Sequence, residues 1–269
     1  MSSILCIGNF GSGTDGQKKV ANLIEHLYKK HKFKFIIGLG NNILPDGVKS
    51  KNDPKFITHF EEPYKNILNS IKFYNILGDA DYTTRKSLNN EINYSKINKN
   101  WILPHNFYCF KKVINKIPVE FICLDSNMDK IKNNKIQEQW VLNTLYESKS
   151  RWNIVISHHP WYNCADKSET NEKLDDLFTK INNTKKVSLI ISGHEYNQQH
   201  IFIPKKPNMI ISGVGSETNK NPIVKIYKEL KFSSNELGCF TIDFFKSRLD
   251  INYYNIKKKK IYNFSLHKL

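Results

Sequence analysis

The sequence predicts an α/β fold in which two β-sheets pack together and helices cover their outer faces. Two patterns predict it: short apolar, β-branched runs alternate with helical patterns up to residue 193, and only strand patterns follow. The chain has 269 residues, enough to bury a full core, and contains no Pro/Gly/Ser-rich linker or internal repeat. We therefore expect a single domain over residues 1–269.

Four helices are predicted where apolar residues recur at spacings of three and four. The first spans 15–30 with Asp15 as its cap, and the second begins at Asp53-Pro54, where proline suits the first turn. The third and fourth span 135–146 and 171–181. Strands are predicted at the apolar runs 4–7, 35–37, 76–77, 108–124, 154–156, 189–191, 200–203, 209–211 and 239–242, and in a terminal hairpin whose turn carries the lysines 257–260.

Histidine, aspartate or asparagine residues follow five of these strands in tight loops. Loops of this kind bring side chains from several strand ends into one site. The loops read Gly8-Asn9-Phe10-Gly11, Gly40-Asn41-Asn42, Gly78-Asp79-Ala80-Asp81-Tyr82, Ser157-His158-His159-Pro160 and Gly193-His194-Glu195-Tyr196.

In their order along the chain and in their residues, these loops resemble the motifs of the purple acid phosphatase branch of the binuclear metallophosphoesterases. The family's motifs read GDxG, GDNxY, GNHD, a His before a Pro, and GHxH, and the resemblance covers nearly the whole chain. It implies a four-layer α/β/β/α sandwich of two mixed sheets flanked by helices. It also implies a centre in which two metal ions polarise a phosphoryl group and activate water.

Every family ligand of the first metal is altered in this chain. Asn9 and Asn41 stand where the family has aspartates, Leu44 stands at the tyrosinate position, and Tyr196 replaces the final histidine. Three negative ligands are therefore missing, and a phenolate at Tyr196 would stand nearly alone. We expect no binuclear centre.

The second metal's ligands are better retained. Asp79 stands at the asparagine of GNHD, and His158 and His194 match the two histidines. Together with Asn41 they would form an N₂O₂ set for one Zn²⁺, Fe²⁺ or Mn²⁺ ion. In the alternative, no metal is bound, the histidines are hydrogen-bonded strand-end residues, and Asp79 pairs with a base such as Arg85.

The catalytic histidine of GNHD is replaced by Ala80, which has no proton to give. General acid catalysis typically contributes about 10²–10⁴-fold, so no catalytic residue is expected here. His159 is ambiguous with His158 by one position, and His158 is preferred because it lies two residues before the proline. The residues expected to line the cleft are Asn42, Asp81, His159 and His200, with Asp81 mainly shaping its loop.

A second group of motifs reads Asp46-Gly47-Val48-Lys49, Asn52-Asp53-Pro54, Trp101-Ile102-Leu103-Pro104, Ser192-Gly193-His194-Glu195-Tyr196-Asn197, Ile261-Tyr262 and His267-Lys268-Leu269. It is similar to the phosphatase-fold domain of the apicomplexan glideosome-associated proteins. Those proteins anchor a motor complex at a membrane and carry a degraded phosphatase centre. The resemblance implies a scaffold-type relative with a protein partner that the sequence does not identify.

The leading hypothesis is a pseudophosphatase that binds or scaffolds, with a phosphate or other anion as a conceivable occupant of its cleft. The alternative is an active acid phosphatase, a phosphomonoester hydrolase with a reduced or mononuclear metal site. A third class, a module for nucleic acid or anionic membrane, would suit the net charge of +16, but the lysines are scattered and lack aromatic interleaving.

The compartment is not determined by the sequence. No apolar stretch approaches the ~20 residues of a membrane span, and no signal peptide pattern is visible, so we expect a soluble chain. Five is an odd number of cysteines, so at least one thiol stays free or pairs between chains. Cys6, Cys109, Cys123 and Cys239 lie in apolar runs, which favours burial.

Overall fold

The computed structural model describes residues 3–84, 86–164, 171–218 and 228–268. The strands in these ranges are β1 Ser3–Ile7, β2 Ile36–Gly38, β3 Phe73–Asn75, β4 Trp101–Ile102, β5 Tyr108–Ile114, β6 Ile117–Cys123, β7 Trp152–Ser157, β8 Leu189–Ser192, β9 Gln198–Ile201, β10 Asn208–Ser212, β11 Leu230–Ser234, β12 Gly238–Phe244, β13 Arg248–Asn255 and β14 Lys260–His267. The α-helices are α1 Asp15–His31, α2 Glu62–Leu68, α3 Ser87–Tyr94, α4 Asn134–Glu147 and α5 Glu172–Asn183. A π-helix spans Ile57–Glu61 and a short 3₁₀-helix spans Ala80–Tyr82.

The described strands form two seven-stranded sheets. The first has the order β14-β13-β12-β1-β2-β3-β4, with β1 to β4 parallel and β12 to β14 antiparallel. The second has the order β11-β9-β10-β8-β7-β6-β5, with β6, β7, β8 and β10 parallel. Both sheets are mixed and flanked by helices, which confirms the predicted fold class.

The second sheet has both faces buried, and alternate residues belong to different cores. Phe121, Ile154 and Ile156 belong to the core shared with the first sheet. Their neighbours Ile122 and Val155 belong to an outer core, because successive side chains of a strand lie on opposite faces. Helices α4 and α5 complete that outer core with Val141, Leu145, Leu174, Leu177, Phe178 and Ile181.

Two helix predictions need correction. Thr14, not Asp15, caps α1, since the Thr14 side chain accepts a hydrogen bond from the Gln17 N–H. The predicted second helix is divided into the π-helix and α2. Before it, the Asp53 carboxylate accepts the N–H groups of Lys49 at 2.7 Å and Lys55 at 3.0 Å. This is the capping role that Ser, Thr, Asp and Asn commonly have at helix starts.

Cysteine burial differs from expectation at one position. Cys109 is exposed on β5, an edge strand, although it lies in an apolar run, whereas Cys6, Cys123 and Cys239 are buried. Within the described ranges, no helix combines the length and the apolar character needed to cross a membrane.

Candidate metal centre

The carboxyl ends of the parallel strands of both sheets meet along one edge. Asp79 follows β3 of the first sheet, while His158 and His159 follow β7 and His194 follows β8 of the second. Backbone hydrogen bonds fix the loops to one another: the Asn9 N–H donates to the Gly40 carbonyl at 3.1 Å. The fold therefore brings side chains from three strand ends to one place.

Asp79, His158, His159 and His194 form a cluster in which one ligand atom from each lies within 4.8 Å of the others. Asp79 Oδ1 lies 2.8 Å from His158 Nε2 and 3.3 Å from His194 Nδ1. The two histidine nitrogens are also 3.3 Å apart. Tetrahedral ligands bound at about 2.0–2.1 Å from Zn²⁺ are roughly 3.3 Å from one another. The donor set and its spacing therefore fit one divalent metal ion.

The ring of His158 is held in one orientation. Its Nδ1 donates to the Leu39 carbonyl oxygen at 2.7 Å, so the lone pair of the neutral ring lies on Nε2. Complete burial lowers the pKa of His158, so the ring is neutral at pH 7. The Nε2 lone pair then faces the Asp79 carboxylate, and a cation between these two acceptor atoms would satisfy both.

Burial and the neighbouring side chains act in opposite directions on the pKa values of Asp79 and His194. Burial alone would raise the pKa of Asp79, but the imidazole groups of His158 and His194 beside it outweigh burial and hold that pKa well below its usual range. Burial alone would lower the pKa of His194, but the hydrogen bond to Asp79 outweighs it and the pKa is raised. Asp79 is therefore a carboxylate at neutral pH, as a metal ligand must be.

His159 lies beside His158 and His194, with its ring centre 4.5 Å from that of His194. The Ser126 hydroxyl holds it at two points: Ser126 Oγ accepts the His159 backbone N–H at 2.9 Å and lies 2.9 Å from His159 Nδ1. Burial, together with the two neighbouring histidines, lowers the pKa of His159 to about 2. His159 is therefore, like His158, a neutral imidazole at pH 7.

Asn9 occupies the position of the family's first aspartate and is completely buried. Its amide Nδ2 donates to the backbone carbonyls of His194 at 3.1 Å and Gly213 at 3.0 Å. A carboxylate has no N–H to donate and would face two carbonyl oxygens here. The Asn9 amide thus joins the loops that follow β1, β8 and β10.

The structure also shows the surroundings of Asn41, Leu44 and Tyr196, which stand at the other altered ligand positions. The Asn41 Oδ1 atom accepts the Ala80 N–H at 2.9 Å, and Leu44 is buried. Burial, with the charges of Glu217 and Asp79, raises the pKa of Tyr196 to about 12. Tyr196 is therefore a neutral phenol near pH 7 when no metal ion is bound.

Two residues expected to line the cleft lie elsewhere. Asn42 is fully buried, and its Nδ2 donates to Asp81 and Glu91 at 3.1 Å each. His200, on β9, bonds to Tyr262 and Asn208, and its ring stacks on Phe264 at 3.6 Å. That places His200 in a core between the sheets.

Asp81 shapes its loop as expected but lies away from the cleft, fully buried. Its carboxylate accepts the backbone N–H groups of Gly78 at 2.8 Å and Asn42 at 3.0 Å. The expected pairing of Asp79 with Arg85 cannot be compared, because Arg85 lies outside the described residues.

A cleft of about 610 Å³ opens beside the metal cluster. Asp79, His159 and His194 line one end. Among the lining residues that the structure describes, the carboxylates are Asp79, Asp129, Asp175, Glu195 and Glu229, and the only lysine or arginine is Lys130. The wall includes Trp161, which is 2% exposed, donates to Asp175 at 2.7 Å and stacks on Phe178.

Comparisons with known proteins agree with this fold. The model of the calcineurin-like phosphoesterase family matches residues 3–198, so the chain belongs to that family. It is 26% identical to purple acid phosphatase 7 of Arabidopsis thaliana, over 99% of this chain and 86% of that protein. It is 24% identical to tartrate-resistant acid phosphatase type 5 of Sus scrofa, over 86% of this chain and 75% of that protein.

Among solved structures, one similar fold is described as GAP50, the anchor in the inner membrane complex of Plasmodium. The TM-score is 0.87 at 21% sequence identity, covering 99% of this chain and 89% of that one. This similarity shows that the two chains share a fold, as the sequence motifs predicted.

Proposed function

We propose that this protein is a non-catalytic member of its family that serves binding or scaffolding and holds at most one divalent metal ion. The observation that carries the proposal is the Asn9 amide, which bonds two backbone carbonyls where a catalytic relative needs a metal-binding carboxylate. The loops of the first metal site are thus held together by protein hydrogen bonds. Asp79, His158 and His194 are the proposed ligands of the single ion.

The chemistry that remains is poorly suited to hydrolysis. Ala80 has no side chain that could protonate a leaving group, and general acid catalysis is worth about 10²–10⁴-fold. Tyr196 keeps its proton at neutral pH because its pKa is raised to about 12. A metal ion, when bound, would supply Lewis acidity, but positioned proton donors and a second cation are what a phosphomonoesterase adds to it.

The charge of the cleft also disfavours an anionic substrate. Its described lining residues include five carboxylates and a single lysine. A phosphomonoester carries negative charge, and like charges repel most strongly where water is partly excluded. This argues against the expected phosphate or other anion as the occupant.

A scaffolding role has a parallel in the similar fold that is described as an anchor in a membrane complex. The frame of two sheets is retained here, while the residues at its strand ends are changed. Catalytic activity depends on the residues of the site, so it can be lost while the fold is retained. We propose that binding of a protein partner is the retained role.

Hydrolysis of p-nitrophenyl phosphate, measured from pH 4 to 8 with Zn²⁺, Fe²⁺ or Mn²⁺, tests this proposal. We expect wild type and a His158→Ala variant to give the same background rate with every metal. Metal-dependent hydrolysis by wild type that His158→Ala abolishes would contradict the proposal. That result would establish the alternative, an acid phosphatase with a reduced metal site.

A further inference from the structure

We propose that His159 joins Asp79, His158 and His194 to form a closed, four-ligand zinc site that ties the two sheets together. This inference rests on the non-catalytic function proposed above and gives the metal a structural role. Structural zinc sites are usually closed by four protein ligands, whereas catalytic sites keep a position open for water or substrate. The number of protein ligands therefore distinguishes the two roles.

The four candidate ligand atoms already converge. All lie within 4.8 Å of one another, and the three of Asp79, His158 and His194 are separated by 2.8–3.3 Å. Bringing His159 to the tetrahedral spacing of roughly 3.3 Å requires a side-chain movement on the order of 1 Å.

Both His158 and His159 are oriented by a second hydrogen bond, as metal-ligating histidines commonly are. In His158 the Nδ1 atom donates to the Leu39 carbonyl, leaving Nε2 for the metal. In His159 the Nδ1 atom lies 2.9 Å from Ser126 Oγ, which leaves Nε2 as its ligand atom. Ser126 also fixes the His159 backbone, so the ring is constrained at two points.

Asn41 is a weaker candidate for the fourth position. Its Oδ1 atom already accepts the Ala80 N–H at 2.9 Å, which anchors the loop after β3. Its amide is neutral, and zinc in proteins is bound mainly by Cys, His, Asp and Glu. The three imidazoles and one carboxylate of the cluster match that preference, so we assign the fourth position to His159.

The placement of the ligands explains what such a site would do. Asp79 comes from the first sheet, and the three histidines come from the second. A bound ion would link the strand ends of both sheets at a single point. Because binding to the folded state alone adds stability, zinc should raise the unfolding temperature in a concentration-dependent way.

Cobalt(II) in place of zinc gives a direct readout of coordination, because four-coordinate tetrahedral cobalt absorbs visible light far more strongly than five- or six-coordinate cobalt. Tag-free protein, first stripped with a chelator, is titrated with Co²⁺. We expect one ion per chain and an intense tetrahedral spectrum. His159→Gln should weaken binding at least about 10-fold and reduce the absorption. His267→Gln, the same substitution at an exposed histidine on the edge strand β14, should leave the spectrum unchanged.

His159→Ala, checked for folding by circular dichroism, serves as a second variant in case glutamine itself ligates. Zinc should raise the unfolding temperature of wild type and of His267→Gln more than that of either His159 variant. Unchanged spectra and unchanged zinc stabilisation in both His159 variants would overturn the closed site. Absence of stoichiometric cobalt binding by wild type would overturn it too. The proposed non-catalytic function is tested separately, since it fails only if metal-dependent hydrolysis is observed.

Discussion

Asn9→Asp is expected to destabilise the protein by about 3–5 kcal/mol at pH 8, although the two side chains are nearly the same size. Asn9 is completely buried and donates hydrogen bonds to the carbonyls of His194 and Gly213. The substitution removes both donors and sets a carboxylate against two carbonyl oxygens. A buried charge left without a partner carries a penalty of this size.

The pH dependence has a defined sign. Burial would raise the pKa of the introduced carboxyl in the folded state above about 3.9, its value in the unfolded chain. The folded variant then binds more protons than the unfolded chain, so stability decreases as pH rises through this range. The free energy of unfolding, measured by urea denaturation, should therefore differ less between Asn9→Asp and wild type at pH 5 than at pH 8.

Asn9→Gly is the matched control, because it removes the same hydrogen bonds without adding charge and tolerates the positive φ of 51° at this position. This control should be less destabilising than Asn9→Asp at pH 8. Its loss of unfolding free energy relative to wild type should not depend on pH. Equal stability of Asn9→Asp and wild type in chelator would contradict the account, because the loops would then tolerate a carboxylate without a metal.

Gly40→Ala is expected to destabilise the protein by about 3 kcal/mol or more, for two additive reasons. Gly40 has a φ of +85°, a conformation that L-residues adopt at an energetic cost of roughly 1–2 kcal/mol. A Cβ at this position would also lie 2.4 Å from His158 Nδ1 and 2.8 Å from the backbone nitrogen of Gly78. The ring of His158 would have to move from the Leu39 carbonyl, and metal binding should weaken with it.

Gly13→Ala separates the two effects. Gly13 has a similar φ of +72°, but the three atoms nearest to a Cβ there, at 2.9–3.3 Å, are outer ring atoms of the His59 side chain, which is not part of the metal cluster. We expect it to show the backbone strain alone, about 1–2 kcal/mol, and to bind metal as wild type does. Equal losses of stability in both variants, measured by urea unfolding, would show that the contact with His158 is unimportant.

Much of the fold could be predicted because its signals are local and repeated. Apolar runs that end in tight loops predicted the parallel strands, and parallel strands place their carboxyl ends on one edge. The proximity of Asp79, His158 and His194 follows from that rule. Helix α3 was not predicted, because its apolar residues are few (Leu88, Ile92 and Tyr94) and its buried face also includes the polar Ser87 and Glu91.

Side-chain direction could not be predicted in the same way. His200 lies one strand after the site, but its face of β9 turns it towards Phe264 in the core. Asn42 follows Asn41 directly, yet its side chain is buried against Asp81. His159 shares a loop with His158, and only the Ser126 contacts show that its ring stays beside the cluster. In each case a tertiary contact, absent from the local pattern, decides the role.

The sequence contained a signal that could have placed His159 in the cluster with His158 and His194. Two consecutive histidines at a strand end are unusual, and both remain near the strand-end site when the chain turns at Pro160. The preference for His158 as the ligand rested on its position two residues before the proline, and it left His159 as a cleft-lining residue. The orienting partner, Ser126, is 33 residues earlier in the chain and carries no motif of its own.

The metal content per chain tests the central claim most directly. It is measured by inductively coupled plasma mass spectrometry on tag-free protein, after dialysis against zinc, iron and manganese. The account predicts one ion per chain in wild type and none in a variant that combines Asp79→Ala with His158→Ala. Two ions per wild-type chain would contradict it, because the site around Asn9 and Tyr196 would then hold a metal after all.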